Sequence, residues 1–207
     1  MFEFDIDEVK ALVQGVGFND GKYLACETGV KTKEYSLWSS MLERCTPKGW
    51  ITRPTYVGTT HSENFKSYTF FHEWCQEQKG FKSIDENNRY WQLDKDLLLR
   101  GNKHYSEDTC VFVPQRLNKL LIKSNASRGE FPIGVSWYNP TKKFTSRCQD
   151  IYGKSKLLGY FNTPREAFLA YKTFKEALIK EVANEYKEQL DSRVYEALMN
   201  YEVNEND

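Results

Sequence analysis

The stretch Trp91–Leu121, WQLDKDLLLRGNKHYSEDTCVFVPQRLNKLL, constrains the architecture of this chain more than any other. Tyr90–Lys95 and Val111–Val113 have the aromatic and β-branched content of short strands, and a turn-rich polar loop separates them. Pro114 then stands where a helix tolerates proline, in its first turn, ahead of an apolar side made by Leu117, Leu120 and Leu121. The segment therefore predicts two strands and a helix, a ββα unit.

On its N-terminal side, a short periodic piece (Phe4, Ile6, Val9, Leu12, Val13) is broken by Gly15-Val-Gly17-Phe-Asn-Asp-Gly21, and Tyr23–Cys26 reads as a strand. Leu37, Trp38, Met41, Leu42 and Cys45 recur at helical spacing, which predicts a helix over Glu34–Cys45. A loop rich in Pro, Gly and Thr follows from Thr46 to Thr60. Phe65, Tyr68, Phe71, Trp74 and Cys75 then mark a second amphipathic helix, and both stripes read as core.

Beyond Leu121, Lys123-Ser-Asn-Ala-Ser-Arg-Gly129 has linker composition. Ile133–Tyr138, Lys143–Cys148 and Lys156–Phe161 read as three strands, with turns at Asn139-Pro140-Thr141 and Tyr152-Gly153. Thr163-Pro164-Arg165-Glu166 is a capping box with proline at the first helical position. Ala167, Phe168, Ala170, Tyr171, Phe174, Leu178, Val182 and Tyr186 give the following helix one apolar face to cover the sheet. A last helix near Ser192–Tyr201 has Val194, Leu198 and Tyr201 on one side, to pack back or to join two copies of the chain as a homodimer.

Lys+Arg and Asp+Glu balance at 29 each, which excludes a globally basic protein. Residues 128–160 are locally positive, with Arg128, Lys142, Lys143, Arg147, Lys154 and Lys156 against Glu130 and Asp150. Such a patch is an electrostatic footprint suited to phosphate. Cys26, Cys45, Cys75, Cys110 and Cys148 form no CxxC pair, and three of them lie in apolar contexts, so free buried thiols are expected rather than a structural zinc site. With neither a signal peptide nor an apolar run of spanning length, the chain reads as cytoplasmic with no membrane partner.

Gly134-Val135, Phe144-Thr-Ser, Leu158-Gly159-Tyr-Phe161 and Glu166-Ala167…Ala170-Tyr171 resemble an AP2-type DNA-binding domain. The resemblance implies a sheet whose uncovered face lies in the major groove. By alternation, Val135, Phe144, Ser146, Cys148 and Leu158 are expected to face the helix, and Ser136, Tyr138, Thr145, Arg147, Gln149 and Lys156 to face out. Familiar plant members carry more arginine on that face, where this chain has only Arg147 centrally, so their base reading does not transfer.

More widely, the chain resembles phage and prophage proteins that join an HNH homing-endonuclease-like domain to an AP2-like domain. The strings that carry this are Gly15-Val-Gly-Phe-Asn-Asp20, Trp38-Ser-Ser-Met-Leu-Glu-Arg-Cys45, Pro54-Thr-Tyr56, Leu93-Asp-Lys-Asp96, Gly101-Asn-Lys103, Tyr105-Ser106, Thr109-Cys110-Val-Phe-Val113, Asn118 and Arg128-Gly-Glu-Phe-Pro-Ile-Gly-Val135. HNH chemistry needs a first-strand metal ligand, a second ligand from the helix and a histidine base. The resemblance puts Asp94 and Asn118 at the two ligand positions. It puts Lys95 where the base belongs and Thr109 where an asparagine orients it. An ordinary lysine holds its proton at neutral pH and is no base. His104, in the loop between the strands, is a substitute base if the protein cuts, and Asp96 a further carboxylate.

The resulting expectation is an α+β protein: an HNH-like, ββα-containing domain over residues 1–123, a linker over 124–130, and over 131–207 an AP2-like three-stranded antiparallel sheet packed on a long helix. Its expected function is sequence-selective binding of double-stranded DNA, as a repressor or interference factor of homing-endonuclease descent in a bacterial host. Arg147, Lys143, Lys156, Tyr138, Thr145 and Ser136 would meet the groove, and Lys95, Arg100, Lys103, Arg116 and Arg128 phosphates. Binding would need no cofactor. The alternative is an active HNH-type endonuclease or nickase, with Mg2+ or another divalent metal on Asp94 and Asn118.

Overall fold

A computed structural model describes residues 12–122, 129–205 and 207. Phe4, Ile6 and Val9, Arg128, and residues 124–128 of the expected linker lie outside the described residues. The chain is mixed α+β and forms two compact units, one built from residues up to Ser83 together with Leu93–Phe112, the other from Ile84–Gln92 together with Val113–Asp207.

The first unit is organised by aromatic packing between two helices. A β-hairpin, β1 (Cys26–Glu27) with β2 (Val30–Lys31), leads into α1 (Lys33–Arg44), whose N-cap Thr32 accepts the Tyr35 N–H. Trp38, Met41 and Leu42 of α1 are fully buried with Phe65, Tyr68, Phe71 and Cys75 of the 3-10 turn Asn64–Lys66 and of α3 (Tyr68–Glu77). The Trp38 indole N–H is satisfied by the Phe65 carbonyl at 2.7 Å, so the buried ring leaves no orphan donor. Between these helices, the stretch expected to be loop holds α2 (Pro47–Thr52). Thr46 caps it by accepting the Gly49 N–H at 3.1 Å, with Pro47 at the first helical position.

The Trp91–Leu121 segment has its two strands and helix: β4 (Gln92–Asp94) pairs with β6 (Val111–Val113), and α4 (Gln115–Leu120) follows, with Pro114 as N-cap rather than first helical residue. Its loop contains one further strand, β5 (His104–Tyr105), parallel to β3 (Thr60–His61). That strand is too short to show a periodicity, which is why the sequence did not reveal it.

In the second unit, β7 (Val135–Tyr138), β8 (Lys143–Gln149) and β9 (Ser155–Phe161) form an antiparallel sheet in the order β7-β8-β9, packed on α5 (Pro164–Glu185). The capping box at Thr163 and Glu166 is present in both directions. Cys148, Phe168, Tyr171 and Val203 make the core between sheet and helix, joined by Val135, Leu158 and Phe174. On α6 (Ser192–Met199), Val194 and Leu198 are fully buried and the helix packs on α5, so its apolar side is used within this unit.

Gly134 sets the approach of helix to sheet. Its φ of 78° lies in the left-handed region, and a Cβ there would overlap the Tyr171 ring of α5. Gly153 has a similar φ of 80° but open space around it. Gly134→Ala should therefore lose about 2–4 kcal/mol, combining backbone strain and overpacking, and Gly153→Ala only about 1 kcal/mol. Urea unfolding followed by circular dichroism checks the pair; equal losses would mean that the Tyr171 contact contributes nothing.

Candidate nucleic-acid interface

The strand register decides which side chains reach the sheet's open face, opposite α5. Pairing of Ser136 with Thr145 and of Tyr138 with Lys143, then of Thr145 with Tyr160 and of Arg147 with Leu157, puts those side chains on one face. A register shift at Ser146/Arg147 accommodates one additional β9 residue, Leu158, which turns inward to the core. Tyr138 and Tyr160 are 41% and 44% exposed, their ring centroids 5.6 Å apart. Lys143, Arg147 and Gln149 are exposed beside them, and neither Lys143 nor Arg147 has a carboxylate partner among the described residues.

Two expected members of this face are placed differently. Lys156 pairs with inward-facing Cys148, and its ammonium lies 4.8 Å from the centre of the Phe174 ring on α5. It belongs to the helix side because residues 156 and 158 share a parity. Thr145 is on the open face but only 4% exposed, its hydroxyl 2.8 Å from that of Ser136. It lies beneath the face, held to Ser136. Tyr160 and Leu157, absent from the expected set, stand on the face instead; Leu157 follows from alternation beside Leu158, whereas Tyr160 lies beyond the bulge and only the strand register finds it.

The turn after β4 is built by Asp94 and Asn102. Asp94 Oδ1 accepts the N–H groups of Asp96 and Leu97 at 3.0 and 2.8 Å. Burial, reinforced by the neighbouring Asp96 charge, nevertheless holds the Asp94 carboxyl above the usual carboxylate range. Asn102 Nδ2 donates to the carbonyls of Lys95 and His104, both at 2.7 Å, and its Oδ1 accepts the His104 N–H at 3.0 Å. The Thr109 hydroxyl adds a bond to the same His104 carbonyl at 3.1 Å. His104 is exposed, with Nδ1 2.8 Å from the Thr60 hydroxyl.

Lys95, expected on a phosphate, is withdrawn. Its side chain is 12% exposed, 3.7 Å from Asp96, and its ammonium lies 5.9 Å and 5.7 Å from the Tyr56 and Tyr105 ring centres. Arg44 shares the same two rings, donating to the Tyr105 hydroxyl at 3.2 Å. Lys103 donates to the Val57 carbonyl at 2.7 Å, and Arg100 is exposed in the loop. Arg116 is committed within the second unit to a two-point ion pair with Glu185, and so is not a free phosphate ligand.

Of the two expected metal positions, Asp94 has one oxygen engaged by backbone, and Asn118 donates its amide to Gln92 Oε1 at 3.0 Å. Burial pushes the nearby Cys45 and Cys110 thiols up to about 12, so neither offers a thiolate at neutral pH. Among the described residues, no group of three or more His, Cys, Asp or Glu side chains gathers as a metal cage. No helix among the described residues is long and apolar enough to cross a membrane.

No family model, no curated protein and no solved structure matches this chain.

Removing the Asn102 side chain should cost about 1–3 kcal/mol of stability, since three bonds are lost and the partly buried Lys95 carbonyl loses its donor. Amide exchange of Asn102→Ala should accelerate at His104 and across Asp96–Lys103 while the C-terminal sheet is unchanged. A rate change spread over the whole chain would contradict this local role.

Proposed function

We propose that this chain binds double-stranded DNA sequence-selectively through the open face of its C-terminal sheet, and that it holds DNA without cutting it. The observation that carries the reading is Arg147 flanked by Tyr138, Tyr160 and Lys143 on a sheet face that α5 leaves uncovered. A three-stranded sheet can enter the major groove, where a guanidinium makes two hydrogen bonds to a guanine edge and an aromatic body meets a thymine methyl. In this reading the sheet and helix are AP2-like, the ββα segment is an HNH-like inheritance from a homing endonuclease, and occupancy of the site produces repression or interference. The committed Asp94 oxygen and the withdrawn Lys95 support loss of cleavage.

The test starts from the site that the full chain protects in fragmented genomic DNA, placed in a short fluorescent duplex. Arg147→Ala should weaken binding by about 5- to 150-fold, the equivalent of 1–3 kcal/mol for one lost base contact, and should relax preference at one or two positions. Lys143→Ala should weaken all sequences alike and make the salt slope shallower by about 1. If the chain shows no salt-dependent retention on any duplex, the reading fails. Strand breaks in Mg2+ or Mn2+ that Asp94→Ala abolishes would instead make it a nuclease.

A further inference from the structure

The second unit contains a cleft of about 580 Å3, within the roughly 300–1,000 Å3 of small-molecule sites. Its walls come from Ile84–Gln92, α4, the β8–β9 turn and α5. Its charges can be followed one by one. Among the carboxylates, Glu86 accepts the Tyr186 hydroxyl at 2.8 Å, and Asp150 accepts the N–H groups of Tyr152 and Lys154, both at 2.9 Å. Glu185 is held by Arg116. Among the cations, Arg116 is spent on that pair and Arg89 on Asp85, at 2.9 Å. Lys119 and Lys175 remain, with no carboxylate partner among the described residues.

We propose that this cleft binds a phosphoryl anion between Lys119 and Lys175, supplied either by the duplex backbone or by a small phosphorylated molecule. Two ammonium groups offer six N–H donors, and a phosphate presents several oxygens at once. Burial holds the Lys175 ammonium below its ordinary range, so the cation is uncompensated where it stands and an anion beside it relieves that cost. The Gln115 Oε1 is buried in the same wall without a hydrogen-bond partner among the described residues. Gln149 lines the cleft and belongs to the exposed strand positions of β8 that include Arg147. A backbone phosphate is therefore a source that rests on the duplex reading, whereas a small phosphorylated molecule does not depend on it.

Acetylation of each lysine in the full chain, read by mass spectrometry at pH 8 and matched ionic strength, tests this. The probes are inorganic phosphate, adenosine monophosphate and a short duplex, each compared with chloride. One of them at about twice its dissociation constant should slow Lys175 modification about threefold by mass action. Lys119→Gln should remove that protection while the circular-dichroism melt stays unchanged, and Gln115→Ala, which keeps both cations, should retain most of it. Protection by duplex alone assigns the cleft to backbone phosphate, and protection by the small anions alone assigns it to a phosphorylated small molecule. If no probe slows Lys175, or if protection survives in Lys119→Gln, the proposal is overturned. Duplex that shields Lys143 while no probe shields Lys175 overturns the cleft and leaves the duplex reading standing. Shielding of Lys175 by phosphate with no duplex effect on Lys143 does the reverse.

Discussion

The seating of the Tyr171 ring against Gly134 governs the C-terminal unit. With no Cβ at Gly134, α5 can come close to the start of β7, and the carbonyl of the same glycine accepts the Arg147 N–H at 2.8 Å. One residue thus touches the helix through its missing side chain and β8 through its backbone. Once Arg147 is hydrogen-bonded there, strand parity sends Cys148 into the core and Arg147 to the other face. The bulge at Ser146/Arg147 then lets Leu158 join the core while Leu157 and Tyr160 stay on Arg147's side. The outward arginine is a consequence of the core, since a slip of one residue would bury it and expose the cysteine.

How much of this can be read from sequence depends on the range of the interaction. The capping box at Thr163 and the apolar face of α5 are local and were legible, as were α1, α3 and the three strands of the sheet. Helix α2 was hidden because Pro47 and Gly49 look like loop residues until the Thr46 cap is seen. The placement of Lys156 failed because Leu158, the inserted bulge residue, shares its parity and both turn inward. No local pattern marks Arg116 for Glu185, or Trp91 for its perpendicular contact with the Tyr186 ring, because these contacts join residues far apart in sequence. They join Ile84–Gln92 and α4 to α5 within one compact unit.

The positions around Asp94 show how a residue type at the expected place can be partly committed to its own turn. A carboxylate that already accepts two backbone N–H groups acts as a turn cap, and its raised proton affinity makes it a poorer anion than a free aspartate. The Tyr56 and Tyr105 rings draw Arg44 and Lys95 into one cluster, which removes two cations from the surface of the first unit. Sequence could name these residues but not their partners, and the partners decide the chemistry.

Net neutrality then has a physical reading for a protein proposed to hold DNA. Non-specific affinity comes mainly from phosphate neutralisation, so a chain that ties its arginines to carboxylates sacrifices that term. Arg89 and Arg116 are tied in this way, and Lys156 lies against Phe174. What remains on the open face is Arg147 and Lys143 beside two tyrosines whose rings are apolar and whose hydroxyls can hydrogen-bond. Such a face gains proportionally more from base edges than from phosphates. It would discriminate better than it adheres, and affinity would have to come from elsewhere in the same unit. In the proposed reading Lys119 and Lys175 would supply it, since their cleft shares Gln149 with the strand that carries Arg147. Selectivity and affinity would then be divided between the sheet face and the cleft, and each could be weakened without abolishing the other.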